Sequence, residues 1–268
     1  MGLQFTGSIK VKVILDALRI VPTEEETIQI VYTALKAGDA IALVKCSGNK
    51  EELKDYAKEI VEKAFLIDDE STSDDYDYMK NKYRGYTASI RGIGIYIMKY
   101  EFDYSETGVQ TQWVNERVKE ILKALELEDK SEYEKIKRIH DYIIDNISYD
   151  ITAKNNSAYE GLKNGITACQ GYANLAYKLF TEAGIHARIV TGIADGEAHA
   201  WNIVRIGDLW YNIDCTWDDP IGGSNHDRRY DYFLKNNAQF MEHIRDEEYD
   251  TEEFNTKYRM ADESWQIE

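Results

Sequence analysis

The sequence predicts an α+β protein in which a cysteine-bearing helix packs on an antiparallel sheet, after an N-terminal α/β accessory domain. The helix is predicted by apolar residues that recur with helical spacing over residues 173–180 and stop at Gly184. The sheet is predicted by two strand-like runs, 200–206 and 209–216, that flank the dipeptide at 207–208. A Gly-Asp pair between two such runs favours a hairpin.

The accessory domain is predicted from an alternation of helical and strand-like patterns that ends with an apolar helix over 109–127. Capping-box patterns at Thr23 and Ser131 indicate where two helices begin. We therefore expect residues 1–127 to form the accessory domain and residues 128–268 to form a catalytic domain with a C-terminal extension. The accessory domain carries no recognisable chemistry, so we expect it to shape a substrate groove or to serve as scaffold.

Composition limits the classes of function. The chain has 268 residues, of which 43% are hydrophobic, so it is long and apolar enough for a sizeable core. The net charge of −17 disfavours nucleic acids and anionic membranes as partners. It is compatible with attraction of basic partners or with solubility alone.

The three cysteines are widely spaced and form neither a disulfide framework nor a CxxC zinc pattern. We predict no cofactor and no metal; a zinc site built from Cys169, Cys215 and His199 is the weaker alternative. The apolar stretch Ile9–Val21 is short and interrupted by charges. It is therefore predicted to be neither a membrane span nor a signal peptide, and the oligomeric state is left open.

Cys169 is placed in the first turn of the predicted helix. The unpaired N–H groups and the positive end of the helix dipole at that position favour a thiolate. Gly171 is expected to leave room beside it for a substrate backbone. The alternative is a buried cysteine that packs as a small hydrophobic residue, as most free cysteines do.

The predicted hairpin brings a histidine and an aspartate together. With a two-residue loop, His199 and Asp214 become diagonal neighbours on one face of the sheet, within hydrogen-bonding reach. Cys215 then points to the other face and is expected in the core, whereas a loop one residue longer would reverse these faces. Asp218 and Asp219 lie beyond the strand, so they are weaker candidates for orienting the histidine.

The segments CQGYA at Cys169, GEAHAWNIVRI around His199 and LWYNIDCTWDDP around Asp214 resemble the transglutaminase-like superfamily, and in particular its bacterial members with a papain-like fold. The resemblance extends over roughly residues 133–220. It implies a catalytic triad of Cys169, His199 and Asp214 on a helix packed against an antiparallel sheet. Members of the superfamily include crosslinking transglutaminases, cysteine proteases, peptide N-glycanases and proteins that have lost activity.

These residues predict thiol-dependent acyl transfer on a protein or peptide substrate. The group attacked is the carbonyl of a peptide bond or of a carboxamide. Hydrolysis, as in a cysteine protease, is favoured because water is always available. A transglutaminase that forms isopeptide crosslinks and a non-catalytic module that binds a peptide or a cell-wall strand are the alternatives. Bacterial relatives of this kind are often exported, so the resemblance implies an extracellular or cell-surface location, and otherwise a cytoplasmic one.

Four residues adjacent to the triad in sequence are predicted to line a substrate groove: Gln170, Tyr172, Trp201 and Trp217. A core position is equally expected for Trp201, because interior tryptophans are common. His140 is expected to be a packed or half-exposed residue of the helix that opens the catalytic domain.

Overall fold

The computed structural model describes residues 21–69, 72–219 and 229–266. These residues divide into two compact units, one made of 21–69 with 74–108 and the other of 72–73, 109–219 and 229–266. The stretch Ile9–Val21 lies almost wholly outside the described residues. Within the described ranges, every helix is too short or too polar to cross a membrane.

Helices and a three-stranded sheet make up the first unit. Its elements are α1 (Glu24–Ala37), β1 (Ile41–Ser47), α2 (Glu52–Ala64), α3 (Tyr76–Lys82), β2 (Tyr83–Ile93) and β3 (Ile95–Tyr104). Strand β3 lies between β1 and β2 and is antiparallel to both. Val44, Met98 and Tyr100 from the sheet pack in one core with Ile60 of α2, so this unit buries its own apolar face.

The predicted capping boxes are confirmed. At the start of α1, the Thr23 hydroxyl accepts from the N–H of Glu26, and the Glu26 carboxylate accepts from the N–H of Thr23. Ser131 and Glu134 form the same pair before a helix of the second unit. Each box satisfies two N–H groups that a helix start otherwise leaves unpaired.

The second unit contains nearly all of α4 and every later α-helix and strand among the described residues, together with two short 3-10 helices at Asn237–Gln239 and Glu247–Tyr249. In chain order the α-helices and strands are α4 (Gly108–Leu125), α5 (Glu132–Asn146), β4 (Ser148–Tyr149), α6 (Ala158–Asn164), β5 (Ile166–Thr167), α7 (Cys169–Glu182), β6 (Ala187–Ala194), β7 (Glu197–Ile206), β8 (Leu209–Ile213), α8 (Cys215–Asp218), β9 (His243–Arg245) and α9 (Glu252–Lys257). Mixed helix and sheet confirm the α+β class.

An antiparallel sheet in the order β8-β7-β6-β9 supports α7, which packs against β7 and β6. Ile206 pairs with Leu209 and Asn202 pairs with Ile213. The loop at 207–208 therefore has two residues, as predicted. Because strand side chains alternate between faces, this register decides which residues reach the helix-bearing side.

The last predicted strand ends earlier than the sequence indicates, at Ile213 rather than at residue 216. Asp214 caps the short helix α8, since its side chain accepts from the N–H groups of Thr216 and Trp217. A capping aspartate turns the chain out of the strand. Cys215 is 3% exposed, so its predicted core position is confirmed.

The helix predicted over 109–127 is observed as α4. The two compact units separate before this helix, between residues 108 and 109, whereas the predicted domain boundary follows it near residue 127. Compactness does not measure which segment folds alone, so the boundary at 127 stays a prediction.

Candidate active site

Cys169 is the first residue of α7, and the residue before it, Ala168, has no side chain that can cap the helix. Cys169 is half-buried, whereas Cys46 and Cys215 are buried. Of the three cysteines, Cys169 is thus the one that solvent and substrate can reach, at the end of a helix where N–H groups point outward.

Gly171 has a different role from the expected one. A Cβ at this position would lie 2.0 Å from the Thr167 hydroxyl oxygen and 2.7 Å from the Ser157 carbonyl oxygen. The space beside Gly171 is filled by the protein itself, so the expectation that it leaves room for a substrate is not met. The glycine instead lets α7 approach β5 closely.

His199 and Asp214 are brought together by the β7–β8 hairpin. Nε2 of His199 lies 2.7 Å from Oδ2 of Asp214. The other carboxylate oxygen accepts from the N–H of Thr216 at 2.8 Å and from the N–H of Trp217 at 3.3 Å. Asp214 is 1% exposed, and these hydrogen bonds satisfy it inside the protein.

The imidazole of His199 lies between Asp214 and Cys169. Burial alone would lower the pKa of His199, but the charge and hydrogen bond of Asp214, together with the interaction with Cys169, raise it to about 10. Burial opposes ionisation of Asp214, and the nearby histidines nevertheless hold its pKa well below the ordinary value. Because Nε2 is bound to Asp214, Nδ1 is the ring nitrogen that remains for the interaction with Cys169. The arrangement favours a charged imidazole beside the thiol.

The other acids near this hairpin bind elsewhere. Oδ2 of Asp218 lies 2.9 Å from Nε2 of His140, and both side chains are 0% exposed. Asp219 accepts from the Tyr172 hydroxyl at 2.5 Å. His140 is therefore a packed residue, as expected, and its second ring nitrogen, Nδ1, lies 3.4 Å from Oδ1 of Asp141.

Sequence comparison identifies the part of the chain that carries this geometry. Residues 119–215 match the family described as the transglutaminase-like superfamily. This part of the chain is a transglutaminase-like domain. The match includes Cys169, His199 and Asp214 and begins inside α4, upstream of residue 133, where the resemblance was expected to begin.

Two curated proteins are similar to part of this chain. The chain is 28% identical over 148 residues to the kyphoscoliosis peptidase of Mus musculus and 29% identical over 146 residues to that of Homo sapiens. These matches cover 48% and 46% of this chain, and the chain spans 22% of the length of each relative. A crystal structure of a TGase aligns with a TM-score of 0.38 and 18% identity, over 48% of this chain and 43% of that chain.

The four predicted groove residues differ in exposure. Tyr172 and Trp201 are each 1% exposed, so they pack beneath the site. Gln170 and Trp217 are half-buried, and the Trp217 ring centre lies 5.7 Å from that of His199. Contact of these residues with a substrate stays a prediction.

His243, which the sequence analysis did not select, also binds Asp214. Its Nε2 lies 2.9 Å from Oδ2 of Asp214, the same oxygen that binds His199. His243 belongs to β9, beyond the end of the family match at residue 215. The ring of His243 packs on Phe240, whose ring centre lies 3.9 Å away.

Tyr149 is a second residue that the sequence analysis passed over. The parallel pairing of β4 with β5 places it opposite Thr167, two residues before Cys169. Burial raises the pKa of Tyr149, and the nearby charges of Cys169 and Glu197 raise it further. A half-buried phenol with a raised pKa keeps its proton and can donate a hydrogen bond.

Among the described residues, His199, Asp214 and His243 offer three ligand atoms within 4.8 Å of one another. This group contains His199 but neither Cys169 nor Cys215, so it differs from the zinc site that the sequence left as an alternative. Ligand atoms around a tetrahedral zinc lie about 3.3 Å apart, given bonds of about 2.0 Å. The two nitrogen–oxygen distances, 2.7 and 2.9 Å, are shorter than this separation and are typical of hydrogen bonds.

Proposed function

We propose that the chain is a cysteine-dependent hydrolase that transfers the acyl group of a peptide or carboxamide to its own thiol and then to water. The observation that carries the proposal is the position of His199, which binds Asp214 through Nε2 and interacts with Cys169. A half-buried cysteine at a helix start, next to a charged imidazole, has the arrangement of an activated nucleophile.

The reaction follows from the positions of these groups. The Cys169 thiolate attacks the substrate carbonyl carbon, and the carbonyl oxygen becomes an oxyanion. When the C–N bond breaks, the His199 imidazolium gives its proton to the leaving amine and a thioester remains. The neutral imidazole then takes a proton from water, whose oxygen attacks the thioester. Collapse of this second intermediate breaks its C–S bond and releases the carboxylic acid, which leaves the thiolate beside the imidazolium that already holds the proton taken from water.

Asp214 supports the charged form of His199 during this cycle. The oxyanion needs hydrogen-bond donors, and the first is the N–H of Cys169 at the start of α7. The second is the Tyr149 hydroxyl, which stays neutral and therefore keeps its proton for donation.

Hydrolysis is preferred over crosslinking for two reasons. Both curated relatives are named as peptidases. Water is also available at a half-buried cysteine without a dedicated binding site. As the bacterial resemblance implies, we also propose that the protein is exported and acts outside the cell or at its surface. Its substrate there is a protein or a cell-wall peptide.

The test is cleavage of a mixed peptide library, read by mass spectrometry, for the wild type, Cys169→Ala and Cys46→Ala. The last variant removes a buried thiol of the first unit and serves as the control. We expect cleavage by the wild type and by Cys46→Ala only. A primary-amine probe with a glutamine-rich protein is added in parallel. Amine incorporation in place of cleavage would replace hydrolysis by crosslinking. If the wild type shows neither cleavage nor amine incorporation, the proposal is overturned.

A further inference from the structure

One carboxylate oxygen of Asp214 binds two histidines, and the proposed mechanism uses one of them. We propose that His243 is a positioning residue that holds Asp214 in place for His199. This inference rests on the proposed function, because it assigns His243 a part in activating Cys169. It makes a segment beyond the family match part of the site.

The hydrogen bonds of Asp214 leave little freedom for the carboxylate. Oδ1 accepts from two backbone N–H groups of α8, and Oδ2 accepts from His199 and His243. Rotation of the carboxylate would break bonds at both oxygens at once. Without His243, Oδ2 would keep one donor and the buried charge would lose part of its compensation.

The hydrogen bonds of His243 also define which proton it carries. Its Nδ1 is buried and has no hydrogen-bond partner within the described ranges. A proton on Nδ1 would be a buried donor without an acceptor, which is costly. The ring therefore donates to Asp214 through Nε2 and stabilises the carboxylate in its charged form.

Packing fixes the ring in this position. The His243 side chain is 0% exposed, and its ring centre lies 3.9 Å from that of Phe240 and 4.5 Å from that of Trp217. Strand β9 pairs with β6, where His243 lies opposite Ala194. The donor is thus held by a strand and two aromatic rings, as is required of a group that orients another.

The alternative is that His243 only fills space. Phe240 provides the comparison, because it packs on the same ring and makes no hydrogen bond to Asp214. A packing role predicts that changes at His243 and Phe240 lower the thermal stability alike and leave the chemistry of Cys169 unchanged. A positioning role predicts that only the loss of the Nε2 donor changes that chemistry.

The experiment measures the rate of Cys169 alkylation by iodoacetamide from pH 5 to 9, with the modified residue identified by mass spectrometry. The variants are His243→Phe, His243→Gln and Phe240→Leu. We expect His243→Phe to react about tenfold more slowly at pH 6 and its profile to move to higher pH, since a hydrogen bond to a buried charge is lost. His243→Gln keeps an N–H at the same reach and is expected to restore the wild-type profile, and Phe240→Leu is expected to leave it unchanged.

The outcomes separate this inference from the proposed function. Fast labelling of wild-type Cys169 with the same profile in His243→Phe would overturn the role of His243 and leave the hydrolase proposal standing. Slow labelling of Cys169 in the wild type would overturn both. Should His243→Phe fail to fold, nitrogen-15 NMR of the wild type decides: a proton on Nε2 of His243 at pH 7 supports the inference, and a proton on Nδ1 alone contradicts it.

Discussion

Asp214 is the residue on which the chemistry of His199 depends. Its two oxygens accept four hydrogen bonds, two from backbone N–H groups and two from imidazoles. Because every group that contacts these oxygens is a hydrogen-bond donor, the site accommodates an anion. It does not accommodate a neutral side chain of the same shape. An amide would place its NH₂ group against a donor and would remove the charge that raises the pKa of His199.

Asp214→Asn is therefore expected to lower kcat/KM by about three to four orders of magnitude, the loss typical of an orienting aspartate in a triad. The measurement is peptide cleavage at pH 7, with Asp219→Asn as the matched control, because that acid binds Tyr172 instead. Equal losses in the two variants would show that Asp214 has no special part.

Tyr149→Phe is expected to lower kcat by about tenfold to a hundredfold with little change in KM, since an oxyanion donor acts only in the transition state. Alkylation of Cys169 forms no oxyanion, so its rate is expected to stay within about twofold of the wild type. A fall in the alkylation rate equal to the fall in kcat would indicate that Tyr149 supports the thiol and not the oxyanion.

At the scale of the elements, α7 and its contact with β5 hold Cys169 in place. Gly171→Ala would drive a methyl group into Thr167 and Ser157. We expect a loss of about 1–3 kcal/mol of unfolding free energy, as in other overpacked cores. Gly161→Ala is the control, since its Cβ would meet a methyl carbon of Thr167 at 3.2 Å. Urea unfolding measures both, and a smaller loss in Gly171→Ala than in the control would contradict the account.

The elements also show what the sequence can and cannot predict. The dipeptide at 207–208 is a local signal, and it is enough to pair Ile206 with Leu209 and so to bring His199 to Asp214. The approach of His243 depends on the pairing of β9 with β6, between segments far apart in the chain. Tyr149 is placed opposite Thr167, two residues before Cys169, by a two-residue parallel ladder. Such short, non-local contacts leave no periodic pattern in the sequence.

Across the whole molecule, the site makes stability depend on pH. The pKa of His199 is about 10 in the folded state and 6.5 ordinarily, so the folded state binds this proton more tightly. The resulting stabilisation is complete below about pH 6.5 and is lost as the pH rises through about 10. Asp214 acts in the opposite direction, because its pKa is lowered in the folded state. Its contribution stabilises the fold at pH values above the ordinary pKa of an aspartate and is lost as the pH falls toward the lowered pKa.

We therefore expect the unfolding free energy of the wild type to fall between pH 6.5 and pH 9.5, and that of His199→Gln to fall less over the same range. Urea unfolding at the two pH values gives both differences. Equal falls in the two proteins would mean that the His199 proton does not contribute to stability.

The account rests on the claim that Cys169 is activated by His199. The most direct measurement is iodoacetamide labelling of the folded protein at pH 6, with the modified cysteine located by mass spectrometry in the wild type and in His199→Ala. We predict that wild-type Cys169 is labelled far faster than Cys46 or Cys215 and that this advantage disappears in His199→Ala. Slow, equal labelling of all three cysteines, or an unchanged rate in His199→Ala, would contradict it.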